Sequence, residues 1–119
     1  MWVFLSNSML SIVNKPGDND ILTVRARAKG DIERVFPNAK VEVNKGTDYA
    51  FRARISRETV ATAMFDAATA ITYANFKGSV REDDRHDAYM DAWHAMMRFQ
   101  TKRNGKPGNQ RQKDLLAAY

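Results

Sequence analysis

Apolar and polar residues alternate with a period of two in two stretches of the chain, and both stretches carry arginines on the polar side. In residues 22–29, Leu, Val and Ala alternate with Thr, Arg and Lys; in residues 49–55, Tyr, Phe, Ala and Ile alternate with Ala and Arg. A period of two is typical of a strand with one buried face. The pattern therefore predicts two strands with these arginines facing away from the core: Arg25, Arg27, Arg52 and Arg54.

Shorter apolar runs predict the remaining strands. Residues 2–5 and 9–14 flank Ser6-Asn7-Ser8, which indicates an N-terminal hairpin. Residues 40–44 alternate again, with Glu42 on the polar side. The first thirteen residues lack the basic start of a signal peptide, so we expect them to belong to the fold.

Apolar residues at helical spacing predict three helices. A short helix opens at Gly30-Asp31 and is limited to about two turns by Pro37. Ser56 is a suitable N-cap for a second helix over residues 57–71. A third helix is predicted over residues 80–100, with an acidic first half that suits the helix dipole.

The order strand, helix, strand, strand, helix matches most of a split β-α-β arrangement. We expect an α+β domain over residues 1–100, with a mostly antiparallel sheet of four or five strands and two or three helices packed on one face. In this arrangement the two arginine-bearing strands are predicted to be parallel central neighbours. Residues 101–119, with two glycines and a proline beside several bases, are predicted to form a basic tail that begins as a linker.

Composition narrows the function classes. The chain has 119 residues, a formal net charge of +5 and no cysteine, so disulfides, thiolate metal sites and a cysteine nucleophile are excluded. Most of the excess positive charge lies beyond residue 100. No apolar run approaches the ~20 residues that span a bilayer. We therefore expect a soluble, cytoplasmic protein without membrane contact.

The four arginines form the candidate binding surface. Like charges on neighbouring strands favour an acidic neighbour, which is either internal, from Glu42 or the acidic half of the last helix, or an external partner. Tyr49 and Phe51 are predicted to face the core, away from the arginines, and this disfavours an open sheet that stacks bases. The favoured interpretation is a non-enzymatic binding or regulatory protein that contacts an acidic protein or nucleoprotein surface.

The alternative is a nucleic-acid-binding protein led by the basic tail, through Lys102, Arg103 and Lys106. Phosphate contacts by such bases would give a strong dependence on salt. The same three residues would also supply long-range attraction under the favoured interpretation.

A metal-dependent hydrolase is the least favoured class. Asp83, Asp87, Asp91 and His94 lie along one flank of the last predicted helix, but a straight helix spreads them over more than about 15 Å. The chain has no glycine-rich phosphate loop, nucleophile elbow or paired-histidine motif. We predict no catalytic residue, no metal site and no cofactor.

Aromatic residues in the second half have two interpretations each. Tyr89, Trp93 and Met96 recur at helical spacing, which favours a core stripe over a ligand site. The connection 73–77 carries Tyr73 and Phe76 in a predicted loop, which suits either an anchor for the loop or a recognition surface.

Several of these motifs together resemble a group of small uncharacterised bacterial and phage proteins. The likeness spans about residues 1–100 and rests on Ser11-Ile12-Val13, residues 22–27, Asp48-Tyr49 with Arg52, residues 73–77, and Tyr89 with Trp93. The resemblance implies a bacterial or mobile-element setting, and it implies no activity, cofactor or catalytic residue.

Overall fold

The structure is a computed structural model that describes residues 1–106. The chain divides into two compact units, the first formed by residues 1–72 and the second beginning at Tyr73. Each unit is described by itself below. The prediction of one domain over residues 1–100 stays a prediction.

The first unit is built on an antiparallel sheet of five strands in the order β1-β2-β3-β5-β4. With the helices described below, it confirms the predicted α+β class. The strands are β1 (Trp2–Leu5), β2 (Ser8–Val13), β3 (Ile21–Ala26), β4 (Glu42–Val43) and β5 (Phe51–Ser56).

The two arginine-bearing strands, β3 and β5, are central neighbours as predicted, but their predicted parallel orientation is wrong. Both β3 and β4 pair antiparallel with β5, so β3 and β4 run in the same direction with β5 inserted between them. The helix after β3 therefore connects two strands that are not adjacent, which is the split β-α-β pattern. Strands β1, β3 and β4 run in one direction, and β2 and β5 run in the other.

One face of the sheet is covered by α1 (Asp31–Val35) and α2 (Arg57–Thr69). Apolar side chains from β2, β3 and β5 form a single core with those of the two helices. Leu10, Val24 and Ile32 have no exposed surface in this core. Burying such side chains stabilises a fold by roughly 1.5–3 kcal/mol each, so this face holds the unit together.

Local polar contacts set the ends of these helices. Gly30 precedes α1 at φ 91°, a left-handed conformation that glycine adopts without strain. The buried carboxylate of Asp31 accepts hydrogen bonds from the Met9 N–H at 3.0 Å and from Arg34 Nη1 at 2.8 Å, which ties α1 to β2. Ser56 caps α2 as predicted, because its Oγ accepts from the Thr59 N–H.

The second unit consists of α3 (Phe76–Ser79) and α4 (Asp83–Asn104). The connection 73–78, predicted as a loop or a bent connection, contains the first three residues of the one-turn helix α3, with Asn75 as its N-cap. The last helix extends four residues beyond its predicted end at residue 100. The predicted linker character of residues 101–104 is therefore wrong, and the rest of the predicted tail, from residue 107, lies outside the described residues.

Among residues 1–106, no helix combines the length and the apolar composition that crossing a bilayer requires.

Candidate functional site

The sheet brings the four predicted arginines together on the face opposite α1 and α2. Arg25 of β3 lies directly opposite Arg52 of β5, and Thr23 lies opposite Arg54. Residues that face each other across strands share a side of the sheet, while their neighbours Val24 and Ala53 enter the core. Arg27 follows the last residue of β3 on the same side. We call this surface the arginine face, and it consists of Arg25, Arg27, Arg52 and Arg54.

Tyr49 belongs to the arginine face and not to the core, so its predicted inward orientation is wrong. The guanidinium carbons of Arg25 and Arg27 lie 4.4 Å and 4.2 Å from the centre of its ring. The period-two pattern fails at Tyr49 because β5 begins only at Phe51, and residues 47–50 form a bend. Phe51, inside the strand, packs against the core as predicted.

Arg25 and Arg27 are held in place by neutral groups. Arg25 Nη2 donates to Ser11 Oγ at 2.7 Å, and Arg27 Nη1 donates to the carbonyl oxygen of Asp48 at 2.6 Å. Together with the Tyr49 ring, these contacts fix the direction of both guanidinium groups. Among residues 1–106, neither group has a carboxylate oxygen within 4.0 Å, so neither takes part in an ion pair there.

Arg52 and Arg54, by contrast, each have an acidic partner. Arg52 Nη2 lies 3.3 Å from Asp48 Oδ1, and Arg54 Nη2 lies 3.0 Å from Asp18 Oδ1. These partners differ from those predicted, because Glu42 lies opposite Arg52 in the register without forming an ion pair with it. The side chain of Arg54 is still 62% exposed, so its pairing leaves donors accessible.

The buried carboxylate of Asp18 organises the turn before β3. It accepts hydrogen bonds from the Lys15 N–H, Thr23 Oγ1 and Arg54 Nη2. These bonds, the one from Lys15 most strongly, hold the pKa of Asp18 below its ordinary value against the opposing effect of burial. The carboxylate is therefore charged at neutral pH and anchors one end of the arginine face.

An exposed tryptophan extends the arginine face to the edge of the sheet. The register aligns one residue from each strand in a row that crosses the whole sheet: Trp2, Ser11, Arg25, Arg52 and Glu42. Trp2 is 70% exposed. At about 4.8 Å between strands, Trp2 lies two strands, or roughly 10 Å, from Arg25.

Comparison of the chain with protein-family models, curated proteins and solved structures finds no match. The site is therefore interpreted from its own chemistry.

The predicted tail bases belong to the second unit. Lys102 and Arg103 lie in the last turn of α4, where positive charge suits the helix dipole, and Lys106 follows the helix. Arg103 lies over the ring of Phe99, 5.0 Å from its centre. All three side chains are exposed. Their predicted role in attracting a partner stays a prediction.

The acidic flank of α4 has the geometry that the sequence predicted. Asp83, Asp87, Asp91 and His94 lie on successive turns of one helix, and His86 Nδ1 approaches Asp87 Oδ1 at 4.0 Å. In the part of the chain that the structure describes, no three histidine or acidic side chains are grouped so that they could hold a metal ion. The absence of a metal site stays a prediction.

The structure agrees with some of the predictions for the aromatic residues of the second unit and not with others. Phe76 stacks on Tyr89 with ring centres 5.8 Å apart, and Lys77 lies over Trp93, which favours the anchor interpretation of the connection 73–77. Tyr89 is buried as predicted, but Met96 is 61% exposed. The predicted core stripe of α4 is therefore covered only in its first half.

Sequence reasoning missed Trp2, Asp18 and Asp48 as parts of the site. The predicted hairpin could have identified Trp2 as part of the site, because the pairing of β1 with β2 places alternate residues of β1 on the polar face. Nothing in the local sequence signals that Asp18 and Asp48 reach the arginines, because both lie in turns whose path only the fold determines.

Proposed function

We propose that this chain is a non-enzymatic binding protein that contacts the acidic surface of a partner protein through the arginine face. The observation that carries the proposal is the pair Arg25 and Arg27, which are held by Tyr49 and by neutral oxygens without an ion pair among the described residues. Guanidinium groups fixed in this way lose little side-chain entropy when they bind a carboxylate.

The cost of placing Arg25 here also supports a binding role. Its Nε is buried and, within the described residues, has no hydrogen-bond partner. An unsatisfied buried N–H costs about 1–3 kcal/mol, and such groups in native structures are associated with functional sites. A methionine at this position would also cover Tyr49 and would leave no buried N–H unsatisfied. The positive charge of Arg25 is therefore the property that needs a functional explanation.

The charge balance favours a protein over a polynucleotide. The four arginines share their face with the carboxylates of Asp18, Asp48 and Glu42, so the surplus of positive charge is small. A nucleic acid strand presents a phosphate at every nucleotide and is held by a larger surplus of bases. Tyr49 is only 5% exposed, so its ring is not accessible for stacking with a base.

The surface also has the composition of a protein interface. Tryptophan, tyrosine and arginine are the residues most enriched among those that contribute most to protein–protein binding. Trp2 and the four arginines lie on the same side of the sheet, with the buried ring of Tyr49 in contact with Arg25 and Arg27. A bacterial or mobile-element setting, with an inhibitor or accessory role there, is part of the proposal.

The test compares two double variants with the same loss of charge. Arg25→Gln with Arg27→Gln changes the arginine face, and Arg81→Gln with Arg98→Gln changes two exposed arginines of the second unit. The probe is a fluorescein-labelled acidic peptide, (Gly-Glu)₆, measured by anisotropy at low salt. We expect the first pair to weaken binding by about tenfold or more and the second by less than about twofold.

Equal losses in the two variants would mean that diffuse charge attracts the peptide, and the proposal would fail. A third variant in the full chain, Lys102→Gln with Arg103→Gln and Lys106→Gln, tests the tail. If this variant alone loses binding to a single-stranded (dT)₁₅ probe while the acidic peptide does not bind the wild type, the nucleic-acid alternative replaces the proposal.

A further inference from the structure

The arginine face has an ordered sequence of chemistry along the row defined above. From one edge of the sheet to the other, the row consists of an exposed indole, a fully buried serine, two guanidinium groups and a carboxylate: Trp2, Ser11, Arg25, Arg52 and Glu42. The row is therefore apolar at one end, basic in the middle and acidic at the other end. A surface with this order can distinguish partners that carry the same net charge.

We infer that the partner segment is an acidic peptide with an apolar anchor, whose apolar side chain packs on Trp2 while its carboxylates reach Arg25 and Arg52. The inference rests on the proposed function, because it identifies the kind of protein segment that the arginine face takes. Trp2 then determines specificity, and the guanidinium groups supply the charge attraction.

The spacing of the partner residues follows from the sheet. Neighbouring strands lie about 4.8 Å apart, so Arg25 is roughly 10 Å and Arg52 roughly 14 Å from Trp2 between Cα atoms. An extended peptide rises about 3.4 Å per residue. Because successive side chains of an extended peptide point to opposite sides, the residues that share a side with the anchor are two, four and six positions from it. The carboxylates therefore belong about two and four residues from the apolar anchor, and Glu42 favours a basic residue about two positions further.

The exposed state of Trp2 supports its role as an anchor contact. An indole that is 70% exposed gains apolar contact when a partner covers it. Arg25 is fixed to Ser11, its neighbour in the row, by the 2.7 Å hydrogen bond from Nη2. The basic centre of the row is thus held at a set distance from the strand that pairs with β1.

The test uses two labelled peptides, Phe-Gly-Glu-Ser-Glu-Ser-Lys and the same sequence with Ser in place of Phe, each made in both chain directions. We expect the wild type to bind the better Phe peptide about fivefold or more tightly than its Ser counterpart. Trp2→Ala should remove this preference and leave the affinity for the Ser peptide unchanged. Phe65→Ala, which removes an equally exposed aromatic ring from α2, should preserve the preference.

The outcomes separate this inference from the proposed function. Equal affinity of the wild type for the Phe and Ser peptides, or the same effect from Trp2→Ala and Phe65→Ala, overturns the inference alone. Unchanged binding of the Ser peptide by Arg25→Gln with Arg27→Gln overturns the proposed function. If (dT)₁₅ binds, loses affinity with Trp2→Ala, and the peptides do not bind, the indole stacks on bases and the inference is overturned.

Discussion

Residues 1–72 bury nine apolar side chains in one core, whereas Val80 and Tyr89 are the buried apolar side chains among residues 73–106. The first unit joins strands and helices that are distant in sequence, so its packing fixes the positions of surface groups such as Arg25 and Arg27. The second unit consists of local helical structure with a few aromatic contacts. The difference teaches that the first unit offers the better scaffold for a precise binding surface, because its core holds strands and helices in defined positions.

Exposed apolar side chains occur in both units, so exposure alone does not distinguish them. Met96 and Phe99 are 61% and 50% exposed in the second half of α4. In the first unit, Trp2 is 70% exposed and shares a side of the sheet with Arg25 and Arg52.

The largest effect is expected from a core substitution in the sheet unit. Leu10→Ala removes a fully buried side chain and should lower the free energy of unfolding by about 2–5 kcal/mol. Met96→Ala, which shortens an exposed side chain of α4, should change it by less than about 0.5 kcal/mol. Urea titration followed by circular dichroism measures both. Similar losses would show that α4 is covered in solution and would remove the contrast between the units.

A smaller, local effect is expected from the aromatic contact of the second unit. Phe76→Ala removes the stack on Tyr89 and should destabilise residues 76–89 by about 1–2 kcal/mol. Hydrogen exchange should become faster in α3 and the first turns of α4 and stay unchanged in β2, β3 and β5. Phe99→Ala, on the exposed part of α4, is the control. Faster exchange throughout the sheet would mean that the two units are stabilised together.

The smallest effect concerns the pH dependence of the turn that supports Arg54. Because the pKa of Asp18 is lowered in the folded state, its stabilising contribution is present above the ordinary carboxyl pKa of about 3.9 and is lost as the pH falls through the folded value. The urea midpoint of the wild type should therefore fall more steeply below about pH 4 than that of Asp18→Asn. Asp20→Asn, an exposed neighbour, should follow the wild type; a parallel fall for Asp18→Asn would contradict the assignment.

Much of the fold was predictable because the decisive signals are local. The alternation of apolar and polar residues predicted β3 and β5. Ser56 predicted the start of α2, and Pro37 predicted the end of α1. The orientation of β3 relative to β5 was not predictable in this way. Alternation shows which residues share a face of a strand, but it does not show in which direction a neighbouring strand runs. The short β4, with two residues, also carries too little pattern to show that it lies on the far side of β5.

The sequence predicts which arginines share the candidate site, but it does not predict which residues contact them. Strand periodicity puts Arg25, Arg52 and Arg54 on one face, but it says nothing about Tyr49, which lies in the bend before β5. The pairing of Arg54 with Asp18 joins residues 36 positions apart. Contacts of this kind follow from the path of turns in three dimensions, so the sequence pattern does not specify which guanidinium groups are paired.

The central claim is that the arginine face of the sheet unit, and not the basic end of α4, meets the partner. Titration of the ¹⁵N-labelled full chain with Phe-Gly-Glu-Ser-Glu-Ser-Lys, followed by NMR of backbone amides and arginine Nε–H groups, tests it most directly. The account predicts that the largest shift changes occur at Trp2, Arg25, Arg27 and Arg52. Largest changes at Lys102, Arg103 and Lys106, with the sheet unaffected, would contradict it.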